Sequence, residues 1–282
     1  HQKVVEEAPP PDLAPELREE MENAAVALAS SVGYVGVGTV EFLLSPEGPR
    51  FLEINPRLQV EHGITEEITG TDLVQLQIKI ARGESIEDLK VSESGVALEA
   101  RVCAEDPDEN FLPSPGRIAR FDPALGPRVR IDSGVTEGTT VSPDFDSLIA
   151  KVIATGKDRG EALSRLACAL ADFELVVQGG ATNKGYLLEL LASDDYRRGG
   201  VDTRWLDRCI AAHKRPTSQN LFAMEIFEAG SQGYDRDATL EEVLHLVTDH
   251  GWDKAFPDVW GEKEGPSIAL AMDKARGGKF LT

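Results

Sequence analysis

The sequence predicts an α+β chain, on three observations. Short runs of β-branched and apolar residues, bounded by Gly, Pro and Asp clusters, read as strands. Longer stretches at helical spacing separate them. The texture changes near residue 95, from helices around one hairpin to a succession of β-rich runs among turns.

The elements follow in order. Residues 1–7 read as a short strand that begins directly at His1. Pro9, Pro10, Pro11 and Pro15 mark a rigid connector and a helix start. Residues 16–31 suit a helix with acidic side chains in its early turns, favourable for its dipole, and Gly33 ends it. Runs 38–44 and 50–55, joined by Ser45-Pro46-Glu47-Gly48-Pro49, read as a hairpin. A polar stretch, 56–70, precedes a helix over 71–82, with Gly83 just past its end. Strands are expected at 97–104, 116–121, 128–132 and 147–154, and helices at 159–173 and 182–191. After Lys214 the pattern weakens. Short helices are expected at 239–249 and 266–275, with Trp252 and Trp260 scattered around them. The expected organisation is one unit over 1–94, a second α+β subdomain over 95–207, and a linker or accessory region of unknown role over 208–282.

The chain has 282 residues, enough for one large or two modest domains. Lys and Arg total 29 against 49 Asp and Glu, a net charge of −20. That surface repels a polyphosphate backbone and argues against nucleic acid as a general partner. A nucleotide still fits where basic side chains and a metal gather locally. Cys103, Cys168 and Cys209 have no paired spacing, which argues against a disulfide framework or a zinc site. No apolar run approaches the ~20 residues of a membrane span. No secretory segment opens the chain. A reducing, cytoplasmic setting is expected.

The hairpin carries the most chemistry. With a tight five-residue turn at 45–49, Leu44 faces Arg50, Leu43 faces Phe51, Glu41 faces Glu53 and Thr39 faces Asn55. Two glutamates opposite one another on one sheet face repel. A divalent cation would remove that cost, and the Asn55 amide oxygen would complete a set of hard oxygen donors. The alternative is that both glutamates point to solvent. Beyond the hairpin, Asn55, Arg57, Gln59 and Glu61 alternate with Pro56, Leu58 and Val60, so in an extended chain they project one way. Arg57 supplies a planar fork for an oxyanion and Glu61 a base. The alternative is a solvated loop with an Arg57–Glu61 ion pair.

The run Glu53-Ile54-Asn55-Pro56-Arg57-Leu58-Gln59-Val60-Glu61-His62 closely resembles the signature of biotin carboxylases. Other stretches agree in order, among them 1–9, 36–42, 66–70, Glu99-Ala100-Arg101, 104–107, 111–116, 145–151 and Ala181-Thr182-Asn183. The resemblance covers residues 1–207. It implies the C-terminal part of an ATP-grasp domain followed by the biotin carboxylase C-terminal subdomain. Glu41, Glu53 and Asn55 then correspond to ligands of Mg²⁺ (or Mn²⁺), with Glu41, Glu53 and His1 lining the ATP site. Lys3, Arg57, Gln59 and the Val60 backbone resemble the bicarbonate pocket. Glu61 resembles the general base, and Arg101 the arginine that meets biotin. The implied chemistry is phosphorylation of bicarbonate by ATP, then transfer of the carboxyl group to biotin. Asp146 lies in a family motif to which a structural or subunit-contact role is assigned.

Departures accompany the resemblance. The regions expected before His1, a nucleotide-fold domain and a lid, have no counterpart in this chain. Gly63 stands where most members have proline. A lysine between two methionines is missing, so biotin would be carried on another domain or chain. The implied partners are biotin carboxyl carrier and carboxyltransferase domains or subunits, and oligomerisation is expected. Rival readings are another ATP-grasp ligase, such as a carbamoyl-phosphate synthase half, a pyruvate or urea carboxylase, and a non-catalytic scaffold.

Overall fold

The structure, a computed structural model, describes residues 3–199 and 201–212. His1 and the expected helices at 239–249 and 266–275 lie outside them. The first half runs β1 (Val5–Ala8), α1 (Pro15–Ser31), the hairpin β2 (Thr39–Ser45) and β3 (Gly48–Asn55), then α2 (His62–Thr69) and α3 (Leu73–Ala81). The second half runs β4 (Val96–Cys103), β5 (Glu105–Asp106), β6 (Leu112–Pro113), β7 (Gly116–Asp122), β8 (Val129–Ser133), β9 (Thr140–Val141) and β10 (Leu148–Gly156). It ends with α4 (Arg159–Asp172), β11 (Glu174–Gln178), α5 (Lys184–Ala192), α6 (Asp194–Arg198) and α7 (Trp205–Ala212).

A four-stranded antiparallel sheet in the order β1-β4-β10-β8 organises the molecule. Its two faces follow the period of two. Leu98, Ala100 and Val102 of β4, with Ala150, Val152 and Ala154 of β10, pack against Leu163, Leu166 and Leu170 of α4 and Leu187 of α5. The intervening Ala97 and Ile153 face the other way and pack on Ile64 and Ile68 of α2. Glu99 and Arg101 of β4, and Lys151 of β10, share that second register. A smaller sheet, β11-β7-β9, flanks the first.

Three expectations change. The stretch 56–70 is not continuously irregular. Ile64 and Ile68 are one helical turn apart, so α2 buries that stripe, and Gly70 closes it in the left-handed region (φ 65°). The strand β11 falls where none was expected, because its Leu175 and Val177 follow the α4 pattern without a turn-residue cluster. The hairpin register holds at Thr39–Asn55 and Glu41–Glu53 but shifts by one residue beyond. Ser45 pairs with Gly48, so the turn is two residues, Pro46 and Glu47, and Leu52 is the extra residue of a bulge. Phe42 then faces Phe51, rather than Leu43, and their rings meet edge to face with centroids 6.4 Å apart. Without the bulge, Phe51 would share the face of Glu53.

The strand β1 pairs with β4, Val5 opposite Ala100 and Glu6 opposite Glu99. The first residues of the chain are therefore built into the sheet of the second half.

Candidate active site

Several elements deliver one cavity. Lys3 enters just ahead of β1, Glu41 from β2, and Glu53 and Asn55 from β3. Arg57, Gln59, Val60 and Glu61 come from the loop between β3 and α2, and Arg101 from β4. These nine residues are all those expected at the site from sequence except His1, and they line a cavity of about 280 Å³. A larger cavity of about 720 Å³ shares Lys3, Val60 and Arg101 with it and runs past Cys103, Asp146 and Lys151.

Ion pairs centre on Glu61. Lys3 Nζ donates to Glu61 Oε1 and to Glu41 Oε1, each at 2.8 Å. Arg101 Nη2 donates to Glu61 Oε2 at 2.9 Å, and its Nε donates to Glu6 Oε1 at 2.5 Å. Burial disfavours the Glu61 anion, but Lys3 and Arg101 outweigh burial and hold its carboxyl below the ordinary value. Glu61 is thus ionised and gripped by two cations. The alternative Arg57–Glu61 ion pair does not form. The side-chain hydrogen bond of Arg57 goes to the Leu58 carbonyl at 3.1 Å, and no carboxylate pairs with its guanidinium among the described residues.

On the hairpin, Asn55 Nδ2 donates to Glu53 Oε1 at 3.0 Å and to Glu41 Oε1 at 3.3 Å. Gln59 Nε2 donates to Glu41 Oε1 at 2.9 Å, and its own Oε1 is buried with no partner among the described residues. The Gln59 and Lys3 bonds hold Glu41 below the usual carboxylate range. Among the described residues no cluster of three or more His, Cys, Asp or Glu side chains is placed to hold a metal. The two carboxylates and the Asn55 amide still fit Mg²⁺, a hard cation that takes few protein ligands and keeps phosphate oxygens and water. The amide must turn over to offer Oδ1, a rotation that leaves the hairpin unchanged.

Sequence reasoning missed the residues that support this layer. Glu99 is fully buried, neither of its carboxylate oxygens has a hydrogen-bond partner among the described residues, and burial pushes its carboxyl up to about 8. Burial likewise pushes Glu6, its cross-strand neighbour, to about 7. Asn183 is fully buried; its Oδ1 accepts from Cys103 N at 2.9 Å and its Nδ2 donates to the Arg101 carbonyl at 3.0 Å. It braces the strand that carries Arg101. His62 Nδ1 lies 2.7 Å from the Gln59 carbonyl oxygen, a contact that requires the ring proton on that nitrogen. The signal available was a charged residue inside an otherwise apolar strand, as at Glu99 and Lys151.

Two family models match the chain in succession: the carbamoyl-phosphate synthase L chain ATP-binding domain over residues 1–89, and the biotin carboxylase C-terminal domain over 99–208. Biotin carboxylase 1 of Bacillus subtilis (strain 168) is 45% identical over 210 residues, 73% of this chain and 46% of that protein. The mitochondrial methylcrotonoyl-CoA carboxylase subunit alpha of Arabidopsis thaliana is 40% identical over 269 residues, 92% of this chain and 36% of that protein. Among solved structures, the biotin carboxylase domain dimer of Hydrogenobacter thermophilus 2-oxoglutarate carboxylase, in complex with MgADP, ADP and bicarbonate, matches with TM-score 0.71 at 36% identity. That match covers 76% of this chain and 48% of the other. The chain spans less than half the length of these proteins. With these two models in this order, a relative named biotin carboxylase and biotin carboxylase domains as its structural neighbours, the chain belongs to the biotin carboxylase family.

Proposed function

We propose that the chain carries the bicarbonate-activating part of an ATP-dependent biotin carboxylase, the ligase of the first half-reaction in a biotin-dependent carboxylase. One observation carries the reading: an ionised Glu61 held between Lys3 and Arg101, in a cavity where, among the described residues, no carboxylate pairs with the Arg57 guanidinium. A scaffold has no use for a cation left without a carboxylate beside a gripped, ionised Glu61.

Arg57 offers two parallel N–H donors to a planar oxyanion, and Lys3, Gln59 and the Val60 backbone complete the pocket. The proton of bicarbonate passes to Glu61, and the resulting oxyanion attacks the γ-phosphate of ATP. Glu61 is a weak base while Lys3 holds it. An incoming oxyanion shares Lys3, which relieves that hold and raises the basicity of Glu61 as the proton moves. Glu41, Glu53 and Asn55 would hold Mg²⁺ or Mn²⁺, which when bound neutralises phosphate charge. His1 is assigned to the nucleotide site. Arg101, on the wall shared by the two cavities, offers a permanent positive charge where biotin, carried on another domain or chain, would meet the bicarbonate end.

Residues 1–94 are read as the C-terminal part of the ATP-grasp domain, 95–207 as the C-terminal subdomain, and 208–282 as a linker or accessory region. The model boundaries at 89 and 99 support the first division. For the acceptor we favour an acyl-CoA carboxylase. The match to the methylcrotonoyl-CoA carboxylase subunit takes in 92% of the chain and so reaches well into the last region. The partners are then biotin carboxyl carrier and carboxyltransferase domains or subunits, in an oligomer. The compartment we assign is the cytoplasm, a reducing one.

Bicarbonate-dependent ADP release from ATP with free biotin tests the reading, on this chain and on a form extended N-terminally to the length of its relatives. The extended form alone is expected to turn over, and Glu61→Gln or Arg57→Ala to lower the rate roughly 10²–10⁴-fold. If neither form releases ADP, the scaffold reading is the better account.

A further inference from the structure

Lys151 sits in the middle of β10, a strand otherwise built of Leu, Ile, Ala, Val, Thr and Gly. It is 7% exposed. An ammonium taken out of water is costly unless its protons are met, and a lysine so placed would ordinarily be explained by its counter-ions. Here the carboxylates are not the closest partners. Nζ stands 3.3 Å from Asp132 Oδ2 and 3.7 Å from Glu99 Oε2, but 2.7 Å from the Val60 carbonyl oxygen, to which it donates. That carbonyl belongs to a loop 91 residues away in sequence.

The peptide that Lys151 holds joins Val60 to Glu61. Fixing its plane fixes where the Glu61 side chain starts. The neighbouring carbonyl, that of Gln59, is held independently by His62 Nδ1 at 2.7 Å. Two successive carbonyls are thus pinned behind a loop whose side chains face the cavity. Lys151 also pairs in register with Arg101 across β10 and β4. One cation of the pair sets the backbone of Glu61 and the other grips its carboxylate. Gly63 permits the approach: a Cβ there would come within 2.5 Å of Ile153 Cδ1 and 3.6 Å of Lys151 Nζ.

We propose that Lys151 is a positioning residue for bicarbonate activation, holding the Val60–Glu61 peptide in the plane that presents Glu61 between Lys3 and Arg101. The inference rests on the role of Glu61 given above. Lys151 lies on the wall of the larger cavity and acts on Glu61 through the Val60 carbonyl.

The test uses steady-state kinetics of the N-terminally extended protein with Lys151→Met, Lys151→Gln and Lys151→Arg. Lys151→Met is expected to lower kcat/KM for bicarbonate about tenfold or more while the KM for ATP stays within about twofold. Lys151→Arg, which can still donate to the carbonyl, should recover most of the loss, and Lys151→Gln should fall between. A general loosening of the fold would not separate the two substrates in this way. Should circular dichroism show Lys151→Met unfolded, the Gln and Arg variants decide. A folded Met or Gln variant with the parental kcat/KM for bicarbonate overturns the proposal, as does a loss shared equally by ATP. Lack of bicarbonate-dependent ADP release by the unmutated protein overturns the functional reading itself, and the inference falls with it.

Discussion

Asn183 carries more than its size suggests. One buried amide meets both a donor and an acceptor of β4, the Cys103 N–H and the Arg101 carbonyl, on either side of Val102. Asn183→Ala would leave the Cys103 N–H and the Arg101 carbonyl without that partner. Loss of about 2–4 kcal/mol is expected in urea unfolding. Such residues are hard to see in a sequence, because Asn between Thr182 and Lys184 reads equally well as a helix cap. The alternating polar series was easier. Asn55, Arg57, Gln59 and Glu61 are polar at alternate positions in a chain too short for a helix, and they do share one cavity. Glu6, Glu99 and Lys151 escaped because their meaning lies in cross-strand neighbours, which spacing alone does not disclose.

At the scale of elements, the β1–β4 pair sets two buried carboxylates opposite one another, Glu6 at about 7 and Glu99 at about 8. Both values are raised above those of the unfolded chain, so the folded state binds protons more tightly. The stabilisation is complete at low pH, below the unfolded values, and is lost as pH rises through about 7 and 8. Glu99→Gln, which cannot ionise, should leave stability at pH 5 little changed and add on the order of 1–3 kcal/mol at pH 9. Melting curves across that range would show it. A wild-type curve with no fall between pH 6 and pH 9 would contradict the assignment. The contact of α2 with β10 is equally tight. Gly63→Ala forces the Ile153 side chain aside and should cost about 1–3 kcal/mol, partly recovered by adding Ile153→Val. Long elements were legible: α1, α3, α4 and β10 lie where periodicity sets them. The helix α2 was not, because its eight residues show only a two-isoleucine stripe beneath a polar face. The bulge at Leu52 was also hidden, since aromatic pairing, and not turn length, decides the outer register.

For the whole molecule, β1 means that the halves expected at 1–94 and 95–207 are not separable pieces. A fragment beginning at residue 95 would expose the edge of β4, a row of unpaired backbone groups on an apolar strand. It should aggregate on size-exclusion chromatography, and a fused copy of residues 3–8 should restore a monodisperse peak. Apolar side chains also remain in the open on both halves of the chain, Leu125 and Phe145 among them. Val26, Val32, Val35, Phe51, Leu52 and Val91 are each more than half exposed. The pairing could not be read before the strand order was known, because β1 and β4 are separated by three helices and a hairpin.

The same pairing dictates a schedule. The strand β1 leaves the ribosome long before its partner at Val96–Cys103 exists, and it must wait, unpaired, while everything between them is synthesised. Lys3 travels with that strand, and Arg101 waits at the other end of the delay. The two cations that grip Glu61 therefore arrive together, at the moment the sheet closes. A half-folded molecule has neither, and the charge that activates the site is also a sign that the chain has finished folding.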